Sequence, residues 1–250
     1  VITNTNVTNN QIYGGNGNNT ISLGAGENWV ETGTGNDIVT IATSANWSTV
    51  TTGAGNDRLT GARGEYNGGE GIDTLVTNFS SLSTQGDSSY NNGLAYRDES
   101  NSLSISMSSS LEEVEAFLTP IGTTGKINVY NNQTVTSSSS LLATWQGIEN
   151  ISVTGTNTDN GNYEGNDLLI VMGTGGSYVG GTARNYDTLY ADWSLATSAI
   201  VWDSRVTVQQ VLNGNTVEGI ERLLVRLGSG DDVITNTNVT NNQIYGGNGN

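Results

Sequence analysis

Residues 32–40 read TGTGNDIVT, and the same nine-residue phrase returns on both sides of them. The other copies are GGNGNNTIS (14–22), LGAGENWVE (23–31), TGAGNDRLT (52–60), GGEGIDTLV (68–76) and LGSGDDVIT (227–235). Glycine at the second and fourth places permits a wide turn, and the last three residues form a short strand with one apolar side chain pointing inward. Two such half-turns, about eighteen residues, make one coil, and stacked coils bury the apolar column.

The phrase follows the pattern G-G-x-G-x-D-x-U-x, where U is a large apolar residue, and resembles the haemolysin-type calcium-binding repeat of RTX proteins. The resemblance is close over residues 14–76 and 227–250 and loose over 162–190. It implies an all-β fold, namely a parallel β-roll or β-solenoid of stacked nonapeptide half-coils, with two longer β-rich excursions. It also implies several bound Ca²⁺ ions, each enclosed by carboxylates and turn carbonyls of adjacent coils.

Alternate nonapeptides fall on opposite edges of such a roll, and the sixth places of the phrase differ between the two edges. One edge carries mostly Asp, whereas the other carries Asn10, Asn28 and Asn46, spaced by eighteen residues. Stacked carboxylates about 4.8 Å apart repel one another unless a cation lies between them. The Asp edge is therefore predicted to hold a single file of Ca²⁺. The predicted ligands are Asp37, Asp57, Asp73, Asp167, Asp187, Asp232, Asn19, Gly33, Gly35, Gly53, Gly55, Gly69, Gly71, Gly228 and Gly230.

The Asn edge carries no such repulsion, so its side-chain amides are expected to form a ladder. Trp29 and Trp47 also lie eighteen residues apart, each directly after an edge Asn, and neighbouring coils are expected to stack them on one another. Ordinary packing under a covering loop and a platform for a carbohydrate or a partner are the two interpretations of this pair. Turn formation alone would explain Asp or Asn at any one turn, but not their segregation by edge.

A longer repeat encloses the short one. Residues 1–18, VITNTNVTNNQIYGGNGN, recur letter for letter as residues 233–250. The offset from position 1 to position 233 is 232 residues. The chain therefore reads as one period of a tandem array followed by the first eighteen residues of the next copy.

The sequence predicts five parts within the period. They are a calcium-binding β-roll (1–76), a β-rich excursion (77–146), a second, irregular RTX-like roll (147–190), a β-solenoid excursion (191–217) and a β-roll that continues into the next copy (218–250). Each excursion leads back into the roll through one of two similar segments, QGIENISV (146–153) and EGIERLLV (218–225). This similarity indicates an imperfect internal duplication.

The first excursion contains a candidate helix start. Ser110 and Glu113 have the spacing of a capping box, which predicts a short helix near 110–119 that ends before Pro120. Strand is the competing interpretation, because SLSISM and KINVY alternate on the two sides of this segment.

Composition excludes several function classes. The chain has 24 acidic and 8 basic side chains, a formal net charge of −16, and neither His nor Cys. These absences exclude Ser-His-Asp and Cys-His nucleophiles, His or Cys zinc sites and disulfides. The acidity disfavours nucleic acid and anionic membranes, and no membrane span is expected in this window. Glu112 and Glu113, like Asp231 and Asp232, are adjacent in sequence and cannot face each other as a hydrolytic pair, so no enzyme is predicted.

The sequence therefore predicts a structural repeat unit of a long calcium-stabilised extracellular fibre, adhesin stalk or surface coat, whose partners are further copies end to end. The alternative is a calcium-dependent adhesin module that binds a polysaccharide or a cell surface. A carbohydrate-modifying β-solenoid enzyme would need a groove lined by facing carboxylates. The resemblance to giant surface proteins of bacteria, notably cyanobacteria, implies an extracellular or cell-surface location reached by type I secretion, which the absence of Cys fits.

Overall fold

A computed structural model describes residues 1–80, 93–100, 103–122, 125–131, 141–156, 165–181, 186–237 and 241–249. These residues form strands that pair mostly in parallel and one helix, which confirms the predicted all-β fold of the β-roll type. Among them, no helix is both long and apolar enough to cross a membrane.

The N-terminal roll alternates between two sheets, as the nine-residue period predicts. Odd-numbered strands lie in sheet I and even-numbered strands in sheet II. The strands are β1 (Ile2–Asn4), β2 (Asn10–Gly15), β3 (Thr20–Leu23), β4 (Asn28–Thr32), β5 (Ile38–Ile41), β6 (Ser48–Thr51), β7 (Arg58–Gly61), β8 (Gly64–Asn67) and β9 (Thr74–Asn78).

One apolar column holds these coils together. In sheet I, Ile21 pairs with Val39, Val39 with Leu59 and Leu59 with Leu75, all in parallel register. These four side chains are buried, with at most 1% exposure. Burial of each one contributes about 1.5–3 kcal/mol relative to exposure. Because each coil buries few such residues, the roll gains its core by stacking.

The predicted ladder on the Asn edge is correct for its first step and wrong for its second. The Asn10 side-chain amide donates to the Asn28 carbonyl oxygen at 2.7 Å. The next coil carries two extra residues, so Trp29 pairs with Thr49 and the Asn28 backbone N–H donates to Ser48 Oγ at 3.2 Å. Asn46 is exposed and is not a rung of the ladder.

The same shift of register separates the two tryptophans. Trp29 is paired with Gln11 on one side and Thr49 on the other, and half of it is exposed. The predicted stacking of Trp29 on Trp47 is therefore wrong, because Trp47 lies two positions out of register.

The first excursion adds an antiparallel extension and a helix. Its elements are β10 (Leu94–Asp98), β11 (Ser104–Ile105), α1 (Leu111–Ile121), β12 (Ile127–Asn131) and β13 (Leu141–Gln146). The capping box is present: Ser110 Oγ accepts from the Glu113 N–H at 3.2 Å, and Glu113 Oε2 accepts from the Ser110 N–H at 2.7 Å. The helix continues through Pro120, so the predicted end is early. A proline in the last turn removes only one backbone hydrogen bond.

After the excursion the chain stacks directly on the first roll, because β14 pairs in parallel with β9. The remaining strands are β14 (Asn150–Thr154), β15 (Leu168–Ile170), β16 (Ser177–Val179), β17 (Thr188–Asp192), β18 (Val201–Asp203), β19 (Gln210–Leu212), β20 (Asn215–Glu218), β21 (Arg222–Arg226), β22 (Val233–Thr235) and β23 (Gln243–Tyr245). Sheet I continues through β14, β16, β20 and β19; sheet III is β15-β17-β21-β23 and sheet IV is β18-β22. The division into five parts stays a prediction.

Candidate metal centre

A column of carboxylates runs along the turns that lead from sheet II into sheet I, each directly before a strand. Asp37, Asp57 and Asp73 are at most 2% exposed. In each of them Oδ1 accepts the backbone N–H of the residue one coil earlier. These bonds are Asn19 N–H to Asp37 at 2.7 Å, Asp37 N–H to Asp57 at 2.8 Å and Asp57 N–H to Asp73 at 2.8 Å. The ladder fixes every carboxylate at the same place in its turn.

The second oxygen of each carboxylate is left without a protein donor. Oδ2 of Asp37, Asp57 and Asp73 is buried and has no hydrogen-bond partner, and the same holds for Asp232. A buried, unpaired carboxylate oxygen is strongly unfavourable unless a cation or donor satisfies it. These four oxygens therefore mark the places where a cation would be bound.

Burial also opposes the charge of these groups. Desolvation raises the pKa of Asp57, and it raises the pKa of Asp73 to about 6, with further raising by the charges of Asp57 and Glu149. A bound divalent cation is usually the largest charge at such a site and favours the ionised carboxylate.

Backbone carbonyls approach the same turns from the adjacent coils. A Cβ atom on Gly53 would lie 2.2 Å from the Gly33 carbonyl oxygen, and one on Gly69 would lie 1.9 Å from the Gly53 carbonyl oxygen. The same holds at the fourth places. A Cβ atom on Gly55 would lie 2.2 Å from the Gly35 carbonyl oxygen, and one on Gly71 would lie 1.8 Å from the Gly55 carbonyl oxygen. We call these closely stacked turns the cradle, and no side chain fits at its glycine positions.

The donor set fits calcium. One carboxylate oxygen per coil and stacked turn carbonyls are hard oxygen ligands, which Ca²⁺ takes in numbers of six to eight. Asp37, Asp57 and Asp73, with glycine carbonyls of the second and fourth places, would hold the ions. Bound Ca²⁺ would supply positive charge that neutralises the stacked carboxylates.

Asparagine at the sixth place replaces the cation with an amide. The Asn19 Nδ2 group donates to the carbonyls of Gly15 and Gly17 at 3.0 and 2.7 Å. On the opposite edge, Asn28 Nδ2 donates to the carbonyls of Gly24 and Gly26 at 3.1 and 2.8 Å. Because an ionised Asp has no N–H to donate, the corresponding carbonyls of an Asp turn lack this partner. The Asn19 amide thus donates to carbonyls of its own turn, and its role as a calcium ligand stays a prediction.

Sequence reasoning missed the residue that ends the column. The Asp73 N–H donates to Glu149 Oε2 at 2.8 Å, and the N–H groups of Glu149 and Asn150 both donate to the Asp73 carbonyl, at 3.2 and 2.9 Å. Glu149 belongs to the segment 146–153 that resembles 218–225. The shared G-I-E within those segments was the available signal.

A second column repeats this arrangement on another edge. The Asp167 N–H donates to Asp187 Oδ1 at 2.8 Å, and the Asp187 N–H donates to Glu221 Oε2 at 2.9 Å. These residues precede strands of sheet III, not sheet I. The predicted single file along one edge is therefore wrong, because the turns of this segment lead into a third sheet.

Asp167 of the second column differs from the aspartates of the first. Asp167 Oδ1 accepts from the Leu94 N–H at 2.6 Å and from Thr156 Oγ1 at 3.0 Å, and its Oδ2 accepts from the Thr156 N–H at 2.7 Å. Both oxygens thus have protein donors. Burial raises the pKa of Asp167 to about 7, and burial with the Asp167 charge raises the pKa of Asp187 well above its usual range.

Asp232 stands apart, in the turn from sheet III to sheet IV. Its Oδ1 accepts the Ile200 N–H at 2.8 Å, while Oδ2 is one of the unpartnered oxygens. A Cβ atom on Gly228 would lie 1.9 Å from the Ala196 carbonyl oxygen, and one on Gly230 would lie 2.5 Å from Ser198. Gly228 and Gly230, two of the predicted ligands, therefore pack directly against the backbone of the preceding coil.

The fold and these turns define a class of protein: a parallel β-solenoid whose turns present buried carboxylates and carbonyls to a cation. Over residues 5–39 and 48–65 the sequence matches a family model described as RTX calcium-binding nonapeptide repeat (4 copies). The matched residues are RTX-type repeats, and RTX nonapeptide repeats bind calcium ions. RTX repeats are structural calcium-binding modules and are typical of exported proteins. No curated protein and no solved structure matches the chain.

The cradle gives a direct prediction for glycine substitution. Gly53→Ala should destabilise the calcium-bound chain by about 3–5 kcal/mol, because the methyl group meets a backbone carbonyl and φ is 99°. Gly17→Ala is the matched control, since φ is 90° there and no atom lies within 4 Å of its Cβ. It should cost only about 1–2 kcal/mol. Urea denaturation in calcium measures both, and equal losses would contradict the cradle.

Proposed function

We propose that the chain is one repeat unit of a long extracellular fibre, adhesin stalk or surface coat that calcium stiffens. The observation that carries this proposal is the placement of the two identical eighteen-residue segments. Residues 1–18 pair with the strands that follow them, and residues 233–250 pair with strands that precede them.

The two placements are complementary. β1 and β2 lie at the ends of sheets I and II, and each has one described neighbour. β22 and β23 lie at the ends of sheets IV and III in the same way. In a tandem array residues 233–250 are the first coil of the next copy. The next copy's equivalents of β3 and β4 would pair with their open edges in the register that β1 and β2 show.

Calcium would decide where the array becomes rigid. The buried Asp column opposes folding without a cation, and ligand binding to the folded state alone stabilises it by mass action. The unit would be loose in the low calcium of a cytoplasm and would fold in the millimolar calcium outside the cell. This order suits export of an unfolded chain, as in type I secretion.

Small-angle scattering of chains with one, two and three periods tests the proposal. In calcium, the maximum dimension should increase by an equal step with each added period, and the cross-section should stay constant. With chelator, the same chains should scatter as expanded coils. Compact particles in calcium, or rod-like scattering that does not change when chelator is added, would contradict the proposed fibre.

A second candidate, an adhesin module for a polysaccharide or cell surface, has one observation in its favour. Trp29 and Tyr13 lie on the outer face of sheet II and are 50% and 65% exposed. Aromatic rings exposed on a sheet are suited to bind sugar rings. Quenching of tryptophan fluorescence by polysaccharides, lost in Trp29→Ala, tests this candidate.

A further inference from the structure

The same sequence lies in two different environments at the two ends of the chain. In the first coil, Gln11 Nε2 donates to the Tyr13 hydroxyl at 2.7 Å and the tyrosine is 65% exposed. The equivalent residues of the last coil are Gln243 and Tyr245, by the 232-residue offset. We call residues 233–250 the joint coil.

The first turn of helix α1 contacts the joint coil at Gln243 and Tyr245. The Leu111 N–H donates to Gln243 Oε1 at 2.5 Å, and the Tyr245 hydroxyl donates to Glu112 Oε1 at 2.6 Å. Both contacts use the first turn of α1, whose start the capping box fixes. The exposure of Tyr245 falls to 44%, compared with 65% for Tyr13.

Two arginines of β21 complete the contact. The Arg226 guanidinium lies 4.6 Å from the centre of the Tyr245 ring and forms an ion pair with Glu115 of α1, with Nη2 to Oε2 at 2.8 Å. Arg222 Nε donates to the Asn241 carbonyl at 2.8 Å, and its Nη2 donates to the Ser109 carbonyl at 2.9 Å. Arginine presents several fixed donors, so each one can join two segments at once.

The charge pattern singles out this place. The chain has only 8 Lys and Arg residues against 24 acidic ones. Two of the eight are the first and last residues of β21, and both contact α1 or the residues just before it as well as the joint coil. Together their guanidinium groups donate to the Ser109 carbonyl just before α1, to the Glu115 carboxylate of α1 and to the Asn241 carbonyl of the joint coil. We call α1 with Arg222 and Arg226 the clamp.

We propose that the clamp of one copy holds the first coil of the next copy and thereby fixes the direction of the array at each joint. This inference rests on the proposed tandem array. Strand pairing alone leaves a terminal coil supported on one edge, whereas the clamp adds a contact on its outward face. In every copy after the first, Tyr13 would then be partly covered by the preceding copy.

The experiment uses a chain of two periods in calcium, residues 1–250 continued by 19–250, with hydrogen exchange of the central joint coil as the readout. Arg226→Gln in the first copy removes the ion pair and the ring contact. Exchange of the joint coil should become about tenfold faster, while exchange of β3 to β9 stays unchanged. The same substitution in the second copy should leave the central joint coil unaffected.

Tyr245→Phe is the milder variant, because it removes one hydroxyl and keeps the packing. It should accelerate exchange at the joint by a few fold, whereas Tyr13→Phe should leave the first coil unchanged. If Arg226→Gln and Tyr245→Phe both leave the joint coil as protected as in the parent chain, the clamp is overturned. The fibre proposal fails separately, through the scattering of one, two and three periods.

Discussion

Removal of calcium should abolish most of the β-structure of the chain at ambient temperature. Asp37, Asp57 and Asp73 stack one coil apart and are buried, and each keeps one oxygen without a protein donor. Two charges about 4.8 Å apart repel by about 3 kcal/mol at an effective dielectric constant of 20. Each calcium site at a hundred times its Kd adds about 2.7 kcal/mol. Several sites therefore match a typical total stability of about 5–15 kcal/mol.

Far-UV circular dichroism and thermal melting, with chelator and after calcium is restored, measure this effect. Magnesium at equal concentration is the control, because it demands octahedral geometry and keeps its waters, so it should restore little structure. Identical spectra and melting curves with and without chelator would refute a calcium-dependent fold.

The regular part of this fold was predictable from the sequence. A nine-residue period places one apolar residue per half-coil, and Ile21, Val39, Leu59 and Leu75 form the expected buried column. Because successive half-coils lie on opposite sides of the roll, alternate strands were assigned to two sheets. Backbone pairing between coils requires this period, so the sequence alone predicts the strands wherever the period is unbroken.

The prediction failed where a coil changes length or a contact joins distant segments. Asn46 keeps an eighteen-residue spacing, but two extra residues in its turn make Ser48 the next rung. Glu149 reaches Asp73 only because β14 returns to β9 after the whole first excursion. Sheet III likewise includes the pairing of Thr188 with Arg222, whose separation in the sequence is much longer than one coil. Spacing within the sequence does not determine such long-range register.

The role of asparagine was also only half predictable. The sequence showed that Asp and Asn occupy different edges, and the structure supplies the physical reason. An Asn side chain donates to the carbonyls of the second and fourth places of its own turn, as Asn28 does. An Asp side chain cannot, so an Asp turn requires a cation where an Asn turn supplies its own donor.

This difference predicts that Asp57→Asn removes a calcium site without unfolding the chain. The introduced amide can keep the bond that Oδ1 receives from the Asp37 N–H and can donate to the carbonyls of Gly53 and Gly55, as Asn19 does in its own turn. Calcium affinity at this position should fall by about 10–100-fold. At limiting calcium, where the parent is only partly folded, the variant should be more stable than the parent by about 1–3 kcal/mol, because a buried charge is replaced by a donor.

The reverse substitution, Asn28→Asp, should convert a calcium-independent turn into a calcium-dependent one. The new carboxylate can still accept from Asn10, but it loses both donors and faces the carbonyls of Gly24 and Gly26. At limiting calcium the loss of stability should be about 2–3 kcal/mol, and saturating calcium should recover most of it. The calcium concentration at which half of the chains are folded, urea denaturation at saturating calcium, and calorimetric titration measure the pair. Opposite signs at limiting calcium are required, since a purely structural role for the sixth residue would make both substitutions destabilising and leave calcium affinity unchanged.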